Sequence, residues 1–175
     1  LQRVYDTGEP YQGYEIPADL YGKDGSKRSV YFNFSYQPYR EPDGLLSGVL
    51  VLATDATEQV RAREEFRESQ RKWKDLADSM PTIVWTSTPD GMVNFFNDQW
   101  YKFTGLSEKG SLGQGWLTVL HPEDLDRCMK VWENANSGGD FYEVEIRYRR
   151  RDHEYRWMIA RGVPIKKDGT VVGWY

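Results

Sequence analysis

Apolar and polar positions alternate from Val30 to Gln37. Val30, Phe32, Phe34 and Tyr36 fall on one side, and Tyr31, Asn33, Ser35 and Gln37 on the other. A period of two predicts a strand over 28–39 with one buried and one wetter face. A strand over 11–20 precedes it across the turn Gly22-Lys23-Asp24-Gly25, and Glu41-Pro42-Asp43-Gly44 is a second turn. Leu45 to Thr54 is almost unbroken in apolar residues, which predicts a third strand at the centre of its sheet. The pattern then changes period. Asp55-Ala56-Thr57-Glu58 offers side chains that accept from the first free N–H groups of a helix. No Gly or Pro interrupts Glu58 to Ser79. Ala62, Phe66, Ser69, Trp73, Leu76 and Met80 are spaced four and three apart in turn, which is the spacing of a coiled-coil seam. Opposite lie Arg61, Glu65, Glu68, Arg71, Lys72 and Asp75. The seam fits an amphipathic helix packed on its own domain, or a connecting helix that pairs with a partner helix. The period favours the second.

Pro81 ends the helix. Strands are predicted over 82–88 and 92–96, around the turn Pro89-Asp90-Gly91. Asn97 or Asp98 caps a short helix over 99–103, which Gly105 closes. Residues 106–120 read as short helical pieces broken by glycines. A longer helix starts at His121-Pro122-Glu123-Asp124 and runs to Asn136, with Leu125, Cys128, Met129 and Trp132 on its apolar face. Gly138-Gly139 stops it, and strands follow over 141–149, 154–165 and 170–175. This order predicts an α+β fold, a five-stranded antiparallel sheet with helices on one face.

The tail repeats the head. Glu145-Ile146 answers Glu15-Ile16, Pro164 answers Pro38, Asp168-Gly169 answers Asp43-Gly44, and Gly173 answers Gly48, at an offset of roughly 125–130 residues. A repeat of that length implies two copies of one domain, the first starting late and the second stopping early. The 175 residues allow one or two domains, and the 15% aromatic content fits a β-rich core. A net charge of −4, with Glu143, Glu145 and Glu154 beside Arg147, Arg149, Arg150 and Arg151, counts against nucleic acid as a partner. One cysteine, Cys128, excludes an internal disulfide framework and a multi-cysteine metal site. No apolar run reaches the roughly 18–20 residues of a membrane span.

The stretches Met80-Pro81-Thr82-Ile83-Val84-Trp85, Pro89-Asp90-Gly91, Asn97 with Trp100, Tyr101, Phe103, Thr104 and Gly105, and Trp116 with His121-Pro122-Glu123-Asp124 belong together. So do Glu145-Ile146-Arg147-Tyr148-Arg149 and Asp152 with Glu154-Tyr155-Arg156-Trp157. In this set the second copy resembles a PAS domain with its PAC extension. The first copy resembles the last part of another, because Asp55-Ala56-Thr57 matches the Asp-x-Thr that leads from the last strand into the signalling helix. Two positions depart from the family pattern. His153 stands where a turn glycine is usual, and Tyr175 precedes any second Asp-x-Thr. The resemblance implies a C-terminal part of a first PAS/PAC domain over 1–54, a signalling helix over 55–80, and a second PAS domain over 81–175 with its last strand truncated.

It further implies a sensory and signal-relay module without catalysis of its own. The module implied is a cytoplasmic homodimer that works on an output domain of the same parent chain, such as a histidine kinase or a cyclic-dinucleotide enzyme. The resemblance does not itself imply a small-molecule ligand, which stays open. A ligand-blind dimerisation and spacing module is the alternative. Signal relay is expected of Asp55, Thr57, Phe66 and Trp73. Trp85, Phe95, Phe103, Met129, Trp132, Tyr148 and Trp157 are candidates to line a ligand pocket, or else to fill a closed core. The sequence argues against flavin and haem. Cys128 sits inside the long helix, whereas light-sensing relatives carry theirs before it, and His121 precedes the helix in which haem-binding relatives place their ligand. His153 is expected in solvent. Glu145 and Arg147 share a strand face, which favours a surface ion pair over acid–base chemistry. No catalytic or metal site is indicated. The incomplete first copy is expected to expose a strand edge and to pair between molecules around 11–54.

Overall fold

The computed structural model describes residues 1–138 and 140–175. It divides into two compact units, Leu1–Arg71 and Lys72–Tyr175, and the division falls inside one helix. The first unit opens on α1 (Gln2–Thr7), which the sequence pattern did not reveal; its Val4 is 1% exposed. Three antiparallel strands follow, β1 (Tyr11–Tyr21), β2 (Lys27–Arg40) and β3 (Leu46–Asp55), and then α2 (Thr57–Ser79). The sheet order is β1-β2-β3. The third strand is therefore an edge and not the centre, and Leu50, Val51 and Leu52 are exposed. In a meander the middle strand takes both partners, so the apolar run of β3 reports its composition and not its place. Along β2 only Val30 is buried, and Tyr31 to Pro38 are all half-buried, because Phe32, Phe34 and Tyr36 stack along the strand with ring centres 5.9 Å apart.

β1 carries a bulge between Gly13 and Ile16. Within it Glu15 takes a left-handed φ of 53°, its N–H donates to Asn33 Oδ1 at 2.8 Å, and its carboxylate receives the guanidinium of Arg63. The turn from β3 into α2 is tied to the central strand. Ala56 N–H donates to Tyr31 O at 2.8 Å, Tyr31 N–H donates to Thr57 Oγ1 at 2.9 Å, and Thr57 N–H donates to Asp55 Oδ1 at 2.8 Å.

The second unit begins with the end of α2. It continues through β4 (Trp85–Ser87), β5 (Val93–Phe96), α3 (Asp98–Thr104), α4 (Glu108–Ser111) and two 3-10 turns, Gly115–Val119 and Pro122–Asp124. Then come α5 (Leu125–Gly138), β6 (Tyr142–Arg149), β7 (Tyr155–Gly162), β8 (Pro164–Lys167) and β9 (Thr170–Trp174). Gly139, expected to help stop α5, lies outside the described residues. β5-β4-β9-β8 form one antiparallel sheet and β6-β7 another. Reciprocal bonds between Val163 and Tyr175, at 2.7 and 3.1 Å, join the two. The line 155–167 thus pairs with β6 over its first half and with β9 over its second. Among the expected elements, the strand over 82–88 shortens to three residues. Val84 spends both its backbone groups on Asn97, donating to Oδ1 and accepting from the N–H, each at 2.9 Å.

Two apolar clusters form the core. Cys128 and Ala135 of α5 pack with Tyr142, Val144 and Ile146 of β6 and with Trp174. Val93 and Phe96 of β5 pack with Trp100 and Val119, the rings of Phe96 and Trp100 lying 4.3 Å apart and nearly parallel. Leu125, expected on the buried face of α5, is 39% exposed, because it opens the helix before the sheet covers it.

Asn97 binds these parts together. It sits at the N-cap of α3, yet its fully buried side chain makes no capping bond. It donates instead to Ala77 O at 2.8 Å and Thr82 O at 2.9 Å, besides accepting from Val84. The capping task passes to Asp78, which accepts from Asp98 N–H at 2.8 Å. Asn97→Ala takes the amide from Thr82 O and from Val84 N–H and leaves Ala77 O with the 3.3 Å bond from Met80 N–H alone. It is expected to lower the stability of the second unit by about 2–4 kcal/mol, read as a shift in its urea unfolding midpoint.

Candidate functional site

A cavity of about 90 Å³ lies within the second unit, between α5, β4, β6 and the segments around Gly91 and Gln114. Its wall is largely aromatic and apolar. Trp132 and Trp85 meet Tyr142 edge-on at 5.5 and 6.4 Å, and Trp116 meets Tyr148 at 6.4 Å. Val93, Phe96, Leu117 and Met129 fill between the rings, and Ser87, Asp90 and Gln114 add polar groups. The turn 89–91 presses its backbone onto Trp132. A Cβ at Gly91 would lie 2.8 Å from the indole, and φ there is +84°, so glycine is required on both counts.

Burial sets the chemistry of this wall. It pushes the Tyr142 and Tyr148 hydroxyls well above the usual phenol range and raises the Cys128 thiol. Cys128 Sγ and Tyr142 Oη lie 3.3 Å apart and satisfy each other. All three groups are neutral at pH 7, so the cavity presents weak neutral donors and acceptors on an aromatic surface. A thiol held in this way is a packing group and not a nucleophile. The volume is below the roughly 150 Å³ that admits a benzene-sized molecule and far below the roughly 300–1,000 Å³ of ordinary ligand sites.

Of the pocket candidates, Trp85, Met129, Trp132 and Tyr148 line the cavity. Phe103 does not, and lies instead along a separate open groove. Phe95 and Trp157 line neither. On β5 it is Val93 and Phe96 that turn inward, and Phe95 packs against Trp73 with ring centres 4.6 Å apart. On β7, Met158 and Ala160 are the half-buried residues, which leaves Trp157 62% exposed on the opposite face. The sequence reading missed Tyr142, although Tyr142, Val144 and Ile146 alternate into the core with a period of two. Asp90 and Gln114 come from turns, where no periodicity marks them.

A charged network anchors the cavity's helix. Asp124, 3% exposed, stands just before α5. Its Oδ2 accepts from Arg147 N at 2.8 Å and Nε at 3.0 Å, and its Oδ1 from Arg147 Nη2 at 2.8 Å and Arg127 Nη2 at 3.0 Å. Glu123 adds a further contact to Arg147 at 2.9 Å. The partner of Arg147 is thus Asp124 across the unit, and not its strand neighbour Glu145. The Arg147 guanidinium also lies 5.0 Å from the centre of the Trp157 ring. His121 Nδ1 accepts from Glu123 N–H at 3.2 Å, and His153 is exposed at a turn with φ +69°. No group of three or more His, Cys, Asp or Glu among the described residues is placed to hold a metal ion.

Of the relay candidates, Asp55 and Thr57 form the strand-to-helix turn of the first unit. Asp55 is held below the usual carboxylate range by its bonds to Thr57. Phe66 is 63% and Trp73 47% exposed.

Bonds from Arg147 hold the Asp124 carboxyl down to about 2. Its folded value thus lies below the ordinary value of about 3.9 in an unfolded chain. The unfolded state therefore takes up the proton first as pH falls, and the stability from this pair is present above about pH 4–5 and lost toward pH 2. Asp124→Asn is expected to destabilise the second unit by about 2 kcal/mol at pH 7. The difference from the parent protein should shrink as urea unfolding is repeated at pH 4, 3 and 2.5.

Residues 93–175 match the family described as the PAS fold. The uncharacterised protein y4lL of Sinorhizobium fredii is 30% identical over 128 residues, covering 73% of this chain and 15% of that protein. The peroxide stress-activated histidine kinase mak1 of Schizosaccharomyces pombe is 26% identical over 149 residues, covering 77% of this chain and 9% of that protein. The chain thus spans less than a fifth of the length of either relative. Among solved structures, the PAS domain of a Colwellia psychrerythraea protein superposes with a TM-score of 0.50 at 20% identity, over 60% of this chain and 90% of that one, a likeness of fold. The antiparallel sheet, the helices between β5 and β6 and the matched residues agree: over residues 93–175 the second unit belongs to the PAS family.

Proposed function

We propose that this chain is a sensory and signal-relay segment of a multidomain signal-transduction protein, in which α2 carries conformational change from the first unit to the second. One observation carries the reading: side-chain bonds tie each end of α2 to the backbone of its own unit. Thr57 and Asp55 bind its start to β2, and Asn97 and Asp78 bind its end to β4 and α3. A helix fixed in this way passes on a shift or rotation at one end in preference to absorbing it. The histidine kinase among the relatives supports an output domain elsewhere in the parent protein, which then holds the catalytic activity. The Asp55-Ala56-Thr57 turn and the repeated strand pattern support the first unit as the closing part of another PAS domain. No helix among the described residues is long and apolar enough to cross a membrane; a cytoplasmic site of action is part of the proposal.

Homodimerisation through the seam belongs to the same reading. Phe66, Trp73 and Leu76 are large apolar residues left exposed along one line of α2. The second reading, a ligand-blind dimerisation and spacing module, draws its support from the small size of the cavity. Native mass spectrometry separates the two: retained small-molecule mass favours the sensor, and an empty dimer the spacer.

Single cysteines at Phe66, Ser69 and Trp73 are expected to form disulfide-linked dimers under mild oxidation, and cysteines at Glu65 and Asp75 to stay at least tenfold less linked. Equal linking at all five positions would remove the seam. In the full-length protein, Thr57→Val is expected to cost only about 1 kcal/mol of first-unit stability, since one hydrogen bond is lost. The same change should reduce the output response to stimulus severalfold. An unchanged response would remove the relay.

A further inference from the structure

Among the described residues of the first unit, Glu15 alone takes a left-handed φ without being glycine. Such a backbone is strained, and it persists only where its surroundings hold it. Here the surroundings are the bulge of β1. Tyr14 and Glu15 together stand opposite Asn33, between the pairs Gly13–Phe34 and Ile16–Phe32. Asn33 Oδ1 accepts the Glu15 N–H at 2.8 Å and so fixes the residue from the neighbouring strand. A bulge re-aims a side chain. This one presents the Glu15 carboxylate to α2, where Arg63 Nη1 donates to Oε1 at 2.7 Å and Nη2 donates to Oε2.

We infer that Glu15 is a two-position clasp for α2, held by Arg63 in this structure and by Arg67, one helical turn on, in a second arrangement of the helix. The inference deepens the relay reading of α2 and rests on it for its use. Residues four apart lie one above the other on a helix, with about 5–6 Å between their Cβ atoms. Arg63 and Arg67 therefore share the face that meets Glu15. Both act on the one carboxylate. The bonds from Arg63 hold the Glu15 carboxyl below the usual carboxylate range, and the charge of Arg67 adds to the same pull. Arg63 occupies both oxygens, so a forked grip by Arg67 requires Arg63 to let go.

The helix has the freedom that an exchange needs. Its start is pinned to β2, where Thr57 Oγ1 accepts from Tyr31 N–H and Arg61 Nη2 donates to Ser29 O at 3.1 Å. Val60 is the last buried residue before residues 61–70, which are all exposed, so no buried side chain fixes that stretch against β1. Exposed ion pairs are weak, and two that share one carboxylate are close in energy. A lean of α2 about its pinned start then passes the carboxylate from one arginine to the next, a one-turn step between two discrete positions. Glu15 stays in place, because the bulge and Asn33 hold its backbone.

The test uses the 1–175 chain with pairs of nitroxide spin labels on introduced cysteines. One label replaces the exposed Gln70 of α2, and the other replaces Lys23 or Glu41, exposed in the two turns of the sheet. Cys128 is buried and stays unlabelled. Excess unlabelled chain removes distances between molecules. Arg63→Gln is expected to hand Glu15 to Arg67 and to displace at least one of the two distances by about 3 Å or more. Arg67→Gln should leave both distances at the parent values. Glu15→Gln, of the same size without the charge, should give one broad distribution. An unchanged distance in Arg63→Gln would overturn the clasp, even with a lowered urea midpoint, since a merely stabilising pair moves the midpoint and not the helix. The same displaced distance in the double variant Arg63→Gln/Arg67→Gln would overturn it too. These distances are read without any output domain. Their failure therefore removes the clasp alone, and the relay stands or falls by the response of Thr57→Val.

Discussion

The structure depends on how α2 is held at its two ends. A helix leaves its first N–H and last C=O groups without internal partners, and those groups must be satisfied by something else. At the start, Asp55 and Thr57 use the shortage to bind the helix to the central strand of the first unit. At the end, the amide of Asn97 takes Ala77 O and Thr82 O together, while Asp78 serves α3. Between the two ends the seam residues have little cover. The helix is located chiefly by polar bonds at its termini, with Val60 and Ala77 buried near the ends and Trp73 against Phe95 as the apolar contacts. That division leaves an apolar surface available to a partner helix without weakening the attachment to either unit.

The second unit repeats this economy around its cavity. α5 carries Cys128, Met129 and Trp132 to the wall, and Asp124 at its start fixes it to β6 through Arg147. A buried carboxylate is costly alone, and here it receives four bonds from two arginines. The same guanidinium lies over Trp157 on the far side of the sheet. The interior wall and the outer surface of the sheet thus meet at one residue.

The sequence made some of this readable and hid the rest for identifiable reasons. The period of two in β2 and the change to a longer period after Asp55 located the first three strands and α2 to within a residue or two. The turn chemistry at Gly105 did the same for α3, whereas His121-Pro122 opens a 3-10 turn and α5 itself starts only at Leu125. Periodicity says which residues share a face, but not which face turns inward. Trp157 and Phe95, large and aromatic, were assigned to the pocket, yet Met158, Ala160 and Phe96 beside them point inward. Trp85, Met129, Trp132 and Tyr148 did reach the cavity wall. The partner of Arg147 lies 23 residues away across the unit, a separation that local spacing does not encode. The edge position of β3 was hidden because an apolar run signals burial only when both flanks are paired. The role of Asn97 was half legible: a capping residue was expected there, and the side chain turned out to cap nothing and to join three segments.

The fixed ends of α2 also bear on how such a chain tolerates changes in length. The helix has 23 residues and, at 1.5 Å each, spans about 34 Å. Each residue added within it turns its far end by about 100°, so the azimuth of the second attachment is set by residue count. Two turns of insertion, seven residues, restore nearly the same phase and lengthen the helix by about 10 Å. One to three residues would leave both sets of terminal bonds intact and swing the seam out of line. For the proposed relay, lengths that differ by whole heptads keep the seam on one face, and intermediate lengths turn it away while the terminal bonds still form.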